Sequence, residues 1–552
     1  MSKRNLSLIL VLVTFLFSTN VFSRTFQFFQ DKKINLNHKA FKFSAAKSGA
    51  LAIEFSFSSM DATSDLRRVP FEFEGLSIKG LDQTHIAGAP ALPFKSFIVV
   101  GSPEEFSLSY EEGPLFSIPD ILPAPAQKMP CRCDKKEEDI PFVFNNEKYK
   151  VDNNFLLSKI YLGKYRGVSL TKITLTPMKY SDLNTLRVYP RLKVTIQKRS
   201  GFVKLFNHKS ITQNKNYLII APLKFQNDLA PLINHKKSQG FNVIFKTQAS
   251  MGNDYNSLKT SIHNYYKRNN FSYALLVGHE ESFPTDYVET SNLARTPSDL
   301  GYFLMDGSND KVPDVFYGRM NVSSSKDVRN QIYKTLEYEK RSWLNSSGFS
   351  RMLGIASDEG YNPSDVEYTE LFAKPLQDSL DKTVDYILQE SSRSTATNIV
   401  KSIDKGAYWI NYIGHGSGTS WPSINTGEFN VDDIKTLSPG AVKPVLIDVA
   451  CQNGKFSNEG RLGERFMNET NQGQPVGSVA YYGGSVDISW HPPAIMAKGI
   501  NLELANNRPK SIGEVLLAGQ LHLLSQYDDT KAAEENLVWY HLQGDPTLQL
   551  QY

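Results

Sequence analysis

The sequence predicts an α/β fold with a largely parallel sheet, flanked by helices in two sub-domains and preceded by a β-rich N-terminal domain. From residue 215 onward, continuous apolar runs alternate with amphipathic segments, which is typical of buried parallel strands and the helices that cover them. Residues 24–205 instead contain short apolar or alternating runs broken by Gly, Pro and Asp, a pattern that predicts strands. A chain of 552 residues is also too long for one compact domain.

The first 23 residues have the pattern of a secretory signal peptide. Lys3 and Arg4 precede the apolar run 8–17, and Ser23 is the small residue that a signal peptidase requires. An uncleaved N-terminal anchor is the alternative interpretation. No later stretch approaches the roughly 18 continuous apolar residues of a membrane helix. We therefore expect a secreted protein, extracellular or periplasmic, with no transmembrane segment in the mature chain.

The β-rich N-terminal domain is predicted over residues 24–205. Runs such as 51–57 and 96–100 have the composition of strands. Residues 114–141 contain six prolines and a run of charged residues, which predicts a long exposed loop. The polar stretch after residue 197 predicts the boundary with the following α/β part.

The α/β part is predicted as two series of strands and helices, sub-domain A at residues 210–347 and sub-domain B at residues 348–552. The first series has strands at 217–221, 241–245 and 273–277, with helices at 225–239, 257–267 and 326–343. The second series has strands at 351–357, 384–388, 407–413, 445–450 and 476–482, with helices at 365–380, 395–403, near 461–469 and at the C-terminus.

Composition excludes several classes of protein. Hydrophobic residues make up 40% and charged residues 21%, which are globular values and exclude a disordered or fibrous chain. The formal net charge is only +4, so neither nucleic acid nor an anionic membrane is expected as the main partner.

Three cysteines are too few to stabilise a chain of this size by disulfides. Cys131 and Cys133 flank a single arginine, and in an oxidising compartment they are compatible with a local disulfide or with two unpaired surface thiols. A metal site is disfavoured because no second pair of Cys or His stands nearby. Either way, Cys451 is left unpaired.

The residues that carry chemistry follow two predicted strands. His415 lies between two glycines after strand 407–413, and Cys451 directly follows strand 445–450. If these strands are neighbours, both side chains leave the sheet at the same edge, where a thiol and an imidazole suit acyl transfer through a thioester. The N–H groups of Gly416 and Cys451 are candidates for an oxyanion hole. A buried small hydrophobe and a structural histidine are the competing interpretations of the two residues.

Motifs throughout the α/β part resemble the gingipain family of cysteine peptidases, family C25, in the caspase/legumain-like clan. The resemblance is carried first by Tyr412–Ser417 and Asp448–Gly454, which contain the His-Gly and Ala-Cys pairs. Further matches occur in the same order along residues 210–552, at Leu275–Gly278, Gly318–Arg319, Ile355–Gly360, Ser489–Trp490 and Gly544–Leu548. The fragment Gly88–Pro93 is similar to the gingipain propeptide. The resemblance implies a caspase-like fold and an inhibitory pro-domain at residues 24–205.

The resemblance also implies roles for individual residues. Cys451 matches the nucleophile and His415 the general base and acid, while Glu359 falls where the Arg-specific members place the acid that orients this histidine. Asp365 falls at the floor of the S1 pocket, where a carboxylate pairs with arginine, and Trp490 at an aromatic wall of that pocket. The competing interpretations are acids at the start of a helix for Glu359 and Asp365, and a core residue for Trp490.

Two features of the sequence depart from the family. The loop at residues 361–363 is shorter than in gingipains, which bears on the match of Asp365. The sequence stops at Tyr552, so we expect the immunoglobulin-like and sorting domains of gingipains to be missing. Calcium supports the gingipain fold, and the acidic loop at Asp306, Asp310 and Asp314 is compatible with a structural calcium or with a solvated loop. No cofactor is required for the chemistry itself.

We therefore expect a secreted cysteine endopeptidase made as a zymogen, which cleaves protein or peptide substrates after basic residues, arginine above all. A gingipain-like sortase that transfers the acyl group to an amine is one alternative. A non-catalytic binding protein that retains the fold is another. Whether the N-terminal domain is removed or remains as a permanent β-sandwich is a further open alternative.

Overall fold

The computed structural model describes residues 23–550, apart from residues 30–39, 47, 65, 67–68, 71, 129–130, 134–139, 151–154, 182–184, 211–213, 292, 361–362, 441, 458 and 508–510. The predicted signal peptide therefore lies outside the described residues, except for Ser23. The chain forms two compact units. Unit 1 comprises Met1–Lys128, Glu138–Asn207 and Leu524–Thr530, and unit 2 comprises Met129–Glu137, His208–Leu523 and Lys531–Tyr552.

Unit 1 is built almost entirely from strands. They are β1 (Ser23–Gln27), β2 (Phe41–Ala45), β3 (Leu51–Ser56), β4 (Ser59–Thr63), β5 (Gly75–Ser77), β6 (Asp82–Gln83), β7 (Pro93–Val100), β8 (Phe106–Glu112), β9 (Phe116–Pro119), β10 (Leu156–Tyr165), β11 (Val168–Leu175), β12 (Met178–Ser181), β13 (Thr185–Val188) and β14 (Arg191–Lys198). One short helix, α1 (Asn146–Lys150), and a 3-10 turn at Pro103–Glu105 accompany them.

These strands form antiparallel sheets around one apolar core. The sheet orders are β1-β4-β5, β10-β11-β7-β6, β12-β13-β9 and β2-β3-β14-β8. In β14 the alternate residues Leu192, Val194 and Ile196 are buried, because side chains on a strand point to opposite faces in turn. The β-rich N-terminal region that the composition predicts is therefore confirmed.

Unit 2 contains sixteen strands among the described residues. They are β15 (Asn216–Ala221), β16 (Asn242–Thr247), β17 (Tyr273–Val277), β18 (Asp286–Val288), β19 (Thr296–Ser298), β20 (Phe316–Met320), β21 (Arg351–Ala356), β22 (Thr383–Leu388), β23 (Trp409–Ile413), β24 (Ser420–Trp421), β25 (Phe429–Asn430), β26 (Val445–Val449), β27 (Thr470–Asn471), β28 (Gln474–Pro475), β29 (Ala480–Gly484) and β30 (Tyr540–Gln543).

Helices cover the strands of unit 2. They are α2 (Gln226–Ser238), α3 (Gln248–Met251), α4 (Tyr255–Asn269), α5 (Ser325–Glu339), α6 (Asp365–Leu380), α7 (Ala396–Asp404), α8 (Val431–Ile434), α9 (Leu462–Asn468), α10 (His491–Asn507), α11 (Ile512–Gln526, whose last three residues belong to unit 1) and α12 (Thr530–Trp539, whose first residue belongs to unit 1). Short 3-10 turns occur at His208–Ser210, Leu223–Phe225 and Leu300–Tyr302.

A single ten-stranded sheet runs through unit 2, in the order β16-β15-β17-β20-β30-β29-β26-β23-β21-β22. Nine adjacent pairs join these strands, and all are parallel except the pair between β29 and β30. The sheet therefore consists of two parallel halves that run in opposite directions and meet at β29 and β30. The predicted α/β class, with a largely parallel sheet flanked by helices, is confirmed.

Apolar strands form this sheet because both of its faces are covered. Every residue of β17, β23, β26 and β29 is buried, as expected for parallel strands between helical layers. Helices begin at polar caps, for example at Ser324 before α5 and Ser364 before α6, whose side chains accept hydrogen bonds from backbone N–H groups. In the described part of the chain, no helix combines the length and apolar character that a membrane crossing demands.

Candidate active site

Four neighbouring strands of unit 2 deliver the candidate residues to one edge of the sheet. β29, β26, β23 and β21 adjoin in this order and run parallel. β23 and β26 are paired up to their last residues, so His415 and Cys451 each lie two residues beyond a matched end. Glu359 follows β21, and Trp490 follows β29. Ligands of parallel α/β sheets bind at this carboxyl edge.

Gly416 packs directly against the backbone of Cys451. A Cβ atom on Gly416 would lie 2.3 Å from the Cys451 carbonyl oxygen and 2.8 Å from its nitrogen, so a larger residue would not fit. Among the described residues, the backbone N–H groups of Gly416 and Cys451 donate to no carbonyl. Two such donors beside the Cys451 thiol are compatible with the predicted oxyanion hole, which stays a prediction.

Cys451 is fully buried, and its sulfur accepts a hydrogen bond from the Ile488 N–H at 3.2 Å. The next residue, Gln452, has a left-handed backbone with φ 58°, which is uncommon for a residue other than glycine and concentrates at functional sites. Its N–H donates to the Val486 carbonyl at 2.9 Å, and its amide to Asp487 at 2.8 Å. Burial raises the pKa of the Cys451 thiol well above its usual value, so the sulfur is protonated in this state.

His415 is fixed by contacts of its ring and of its backbone. Its Nε2 lies 2.7 Å from Oε2 of Glu359, its N–H donates to Ser423 Oγ at 2.9 Å, and its carbonyl accepts from the Tyr412 hydroxyl at 2.8 Å. The buried Nδ1 has no partner with hydrogen-bond geometry among the described residues. Burial lowers the pKa of His415, but the Glu359 carboxylate and the nearby backbone of Arg132 outweigh burial and raise this pKa above its usual value.

Asp365 is the first residue of α6, and its carboxylate is fully buried. The N-cap Ser364 fixes the start of this helix, where its side chain accepts a hydrogen bond from the Glu367 N–H. Ser357 donates from Oγ to Oδ2 of Asp365 at 2.7 Å. The helix dipole favours an acid here, but a buried carboxylate also requires a cation or several donors.

The cation that meets Asp365 is Arg132. Residues 131–133 belong to unit 2, although they lie in sequence between two parts of unit 1. Nη1 and Nη2 of Arg132 donate to the two oxygens of Asp365 at 2.6 and 2.7 Å, and neither side chain is exposed. Nε and Nη2 also donate to the Trp490 carbonyl at 3.3 and 3.2 Å, and the Arg132 N–H donates to the Ile488 carbonyl at 2.9 Å. An arginine therefore fills the site through its side chain and its backbone together.

Trp490 forms one wall around this arginine. The Arg132 guanidinium carbon lies 4.3 Å from the centre of the Trp490 ring, within the range of a cation–π contact. Gly360 has φ +79°, and a Cβ on it would lie 2.7 Å from Trp490 Nε1, so a glycine permits the indole to close over this turn. The indole also lies edge-on to His415, with ring centres 6.2 Å apart.

A buried network beneath the edge joins the loop after His415 to the turn after Cys451. Asn453 donates to Asp448 at 3.1 Å and accepts from the Gly418 N–H at 2.8 Å. Asp448 also accepts hydrogen bonds from Trp421 and Tyr481. Burial raises the pKa of Asp448 to about 6. The sequence analysis did not identify this network, although Asp448 and Asn453 lie inside the motif around Cys451.

Arg132 is a residue of the candidate site that the sequence analysis did not identify. The prediction of an exposed loop over residues 114–141 is wrong at this position, since Arg132 is completely buried. The signal was present in the sequence, because a lone arginine between two cysteines stands out in a proline-rich segment. The spacing of the two cysteines does not indicate which distant carboxylate the arginine between them meets.

The cysteines are paired in the way that one of the two alternatives predicts. Cys131 and Cys133 form a disulfide, and Cys451 is the free cysteine. The two disulfide-bonded cysteines are half-buried, in contrast to the arginine between them.

The acidic loop between β19 and β20 brings three carboxylates together. Single oxygens of Asp306, Asp310 and Asp314 lie within 4.8 Å of one another, and Asp310 and Asp314 are buried. Backbone N–H groups donate to both buried acids, from Asp306 to Asp310 at 3.2 Å and from Met305 to Asp314 at 3.1 Å. Three oxygen donors suit calcium, while these hydrogen bonds also account for a closed loop without an ion.

Known proteins are similar to this chain in sequence. Gingipain R2 of Porphyromonas gingivalis (strain ATCC BAA-308 / W83) is 24% identical over 541 residues, which cover 89% of this chain and 70% of the relative. Gingipain R1 of Porphyromonas gingivalis is 24% identical over 545 residues, covering 89% of this chain and 52% of the relative. Lys-gingipain of Porphyromonas gingivalis (strain ATCC 33277) is 24% identical over 492 residues, covering 81% of this chain and only 28% of the relative.

Solved structures and a family model agree with these relatives. The Arg specific cysteine proteinase gingipain R matches with a TM-score of 0.55 and 25% identity, over 62% of this chain and 79% of the other. The complex of Porphyromonas gingivalis RgpB pro- and mature domains matches with the same score and identity, over 61% and 80%. The model of peptidase family C25 matches residues 210–551, more than half of the chain. The chain therefore belongs to peptidase family C25 and is a cysteine-type endopeptidase.

Proposed function

We propose that this endopeptidase is secreted as a zymogen and cleaves peptide bonds after basic residues, arginine above all. The observation that carries the proposal is the burial of Arg132 against Asp365, beside Cys451 and His415. A site that holds one arginine of its own chain in this way has the shape and charge to hold the arginine of a substrate.

The geometry of the pocket favours arginine over lysine. Two parallel N–H donors of a guanidinium match the two oxygens of Asp365, as the Arg132 pair illustrates. A lysine ammonium is a compact charge that cannot form this planar pair, and it is more strongly hydrated. The Trp490 ring adds a flat face that suits the flat guanidinium.

The chemistry that we propose is acyl transfer through Cys451. His415 takes the thiol proton, the sulfur attacks the carbonyl carbon of the substrate arginine, and a thioester forms as the bond from this carbon to the nitrogen of the next residue breaks. The leaving amine receives the proton from His415, and water then hydrolyses the thioester. Because Glu359 occupies Nε2 of His415, the buried Nδ1 is the nitrogen left for these transfers.

Two further groups would assist the reaction. The N–H groups of Gly416 and Cys451 are proposed to donate to the oxyanion that develops on the carbonyl. Glu359 is proposed to orient the ring and to favour its protonated form, in line with the raised pKa of His415. Asp365, Trp490 and the backbone at Ile488 would bind the substrate.

Latency is proposed to arise from residues 131–133, which would occupy the substrate site until they leave it. The N-terminal β-rich domain would then act as a pro-domain. A pairing of this kind exists in a relative, in the matched complex of RgpB pro- and mature domains. Secretion is supported by the leader pattern of residues 1–23.

A structural calcium at Asp306, Asp310 and Asp314 is a separate proposal. The ion would neutralise three neighbouring carboxylates and would take no part in the reaction. Thermal unfolding with calcium or with a chelator measures this directly, and an unchanged Tm would contradict a bound ion.

The test of the function is turnover of arginine-containing peptides by the Arg132→Ala protein, in which the pocket is vacated. Cys451→Ala and His415→Ala in this background should each abolish turnover. Persistent cleavage after arginine in the Cys451→Ala protein would remove Cys451 from the mechanism. An added amine nucleophile should leave hydrolysis as the main outcome, and predominant transfer to the amine would indicate a transpeptidase instead.

A further inference from the structure

We propose that the Cys131–Cys133 disulfide is a thiol–disulfide exchange site, and that its reduction by a dithiol commits the Arg132 segment to cleavage and release. The inference rests on the proposed peptidase function, since it concerns the control of the same pocket. The pocket binds the arginine through Asp365 and Trp490 and does not require a disulfide for this. The position of the disulfide around Arg132 therefore suggests a separate role.

The disulfide joins the two residues on either side of the arginine that fills the pocket. The Cα atoms of Cys131 and Cys133 are 5.1 Å apart, and Arg132 is the single residue between them. Cys131 also forms a β-bridge with Ser489, next to the hydrogen bond from Arg132 N–H to Ile488. The disulfide closes a small ring of residues 131–133, called the disulfide ring below. Its backbone is bound to residues 488 and 489 at the edge of the site, and the Arg132 side chain points into the pocket.

Arg132 has the contacts proposed for a substrate arginine. Its own peptide bond to Cys133 is therefore a possible target of cleavage by Cys451. Its guanidinium occupies the Asp365 pocket. Its backbone N–H donates to the carbonyl of Ile488, the residue whose own N–H donates to the Cys451 sulfur. Attack by the Cys451 sulfur would form a thioester at Arg132 and free the amine of Cys133. A bound arginine in an active peptidase would ordinarily be cut and lost.

The disulfide makes that cleavage reversible. After the bond between Arg132 and Cys133 breaks, the sulfur bridge still ties Cys133 to Cys131, so the new amine remains beside the thioester. A tethered nucleophile acts at a high effective concentration, and its return to the thioester competes with the entry of water. The disulfide ring thus lets the peptide bond between Arg132 and Cys133 re-form after cleavage, and the segment continues to block the pocket.

Reduction removes this tether. A dithiol reductant gives two electrons and two protons to the disulfide, which becomes the thiols of Cys131 and Cys133, while the reductant closes its own disulfide. The amine released on cleavage then diffuses away, and water completes hydrolysis of the thioester. Both cysteines are only half-buried, in contrast to Arg132, and the proposal is that a reductant approaches them from solvent without prior unfolding of the site.

The carboxylate of Asp487 places a negative charge beside the disulfide. This carboxylate lies within 4.8 Å of both sulfurs. Exchange proceeds through thiolates, and a negative charge beside the sulfurs disfavours the approach of an anionic thiolate. The same three groups would also be a partial ligand set for a soft metal if the cysteines were reduced, which the experiment has to separate.

The experiment compares the full-length chain, before and after treatment with dithiothreitol, with the Cys131→Ser/Cys133→Ser and Arg132→Ala proteins. Turnover of an arginine peptide and intact mass are measured together, with the assay free of metal. We expect the untreated chain to lack two hydrogens relative to the treated one. Reduction and the double substitution should each raise initial turnover on the order of tenfold or more, with a new chain end at Arg132.

The matched control is dithiothreitol added to the double variant. Turnover of the arginine peptide should not change there, because Cys451 is the only cysteine left and the chain contains no disulfide to reduce. If the double variant and the reduced chain both stay latent while Arg132→Ala is active, exchange at this disulfide is discarded and the peptidase function stands. An untreated chain with three free thiols instead of one, or with bound metal, overturns the inference as well. If no form cleaves the peptide, the proposed function fails and this inference fails with it.

Discussion

Two hydrogen bonds, at 2.6 and 2.7 Å, join the guanidinium of Arg132 to the carboxylate of Asp365, although the two residues lie 233 positions apart in the chain. Both charges are removed from water, and neither would be tolerated there alone. The pair therefore ties the segment 131–133 to a pocket whose other occupant would be a substrate.

Asp365→Ala should lose activity selectively on arginine substrates. Removing one partner of a buried ion pair costs about 3–5 kcal/mol, which corresponds to a fall in kcat/KM on the order of 10²- to 10⁴-fold. The measurement is kcat/KM for peptides with arginine, lysine or an uncharged residue before the cleaved bond, in the Arg132→Ala background. The matched control is Asp358→Ala, an exposed acid seven positions earlier. An equal loss on all peptides would show that Asp365 supports the fold and not the specificity.

Arg132→Ala should activate the full-length chain. The substitution leaves Asp365 free to accept a substrate, so turnover of an arginine peptide should rise on the order of tenfold or more without removal of the N-terminal domain. Arg187→Ala, which replaces an exposed arginine on β13, should leave the chain latent. A chain that is equally latent with and without the Arg132 side chain would contradict the assignment of residues 131–133 as the inhibitory segment.

Glu359→Gln should shift the pH profile. The carboxylate raises the pKa of His415 because it favours the imidazolium, so a neutral amide should lower this pKa. The limb of the kcat/KM profile that follows His415 is then expected to move to lower pH, with kcat reduced. Asp358→Asn serves as the control that retains the profile. A limb that stays in place would show that Glu359 does not act on the histidine.

His541 should make the protein sensitive to acid. Burial lowers the pKa of His541 to about 4 from an ordinary 6.5, so the folded state binds fewer protons than the unfolded state between these values. Its contribution to the free energy of unfolding is complete above pH 6.5 and falls as the pH drops, and the loss amounts to about 3 kcal/mol at pH 4. Asp448, with its raised pKa, acts in the opposite sense.

A comparison of the protein with its His541→Gln variant separates the effect of His541 on stability from that of Asp448. Both proteins are unfolded in urea at pH 7.5 and at pH 4.5, and the variant should lose less stability between them, since its residue 541 does not titrate. Parallel losses in the two proteins would exclude His541 as the source of the acid sensitivity.

Local sequence predicts the elements with strong patterns. The strand Tyr273–Val277 and the helix Asp365–Leu380 have their predicted bounds, because a run of apolar residues and a clear cap leave little choice. β20 and β30 were not predicted, since their residues include Arg319, His541 and Gln543. The buried charge of Arg319 is compensated by Asp299, which accepts hydrogen bonds from its Nε and Nη2 and does not belong to the strand.

For the site, the sequence by itself determined the family motifs, and with them the candidates His415, Cys451, Glu359, Asp365 and Trp490. It could do so because each lies in a short conspicuous segment after a strand or at a helix start. Only the tertiary structure decided that Arg132 binds Asp365 and that a disulfide joins the two cysteines on either side of Arg132. The physical reason is that a buried charge is stable only beside its partner, and no local pattern records which distant residue that partner is.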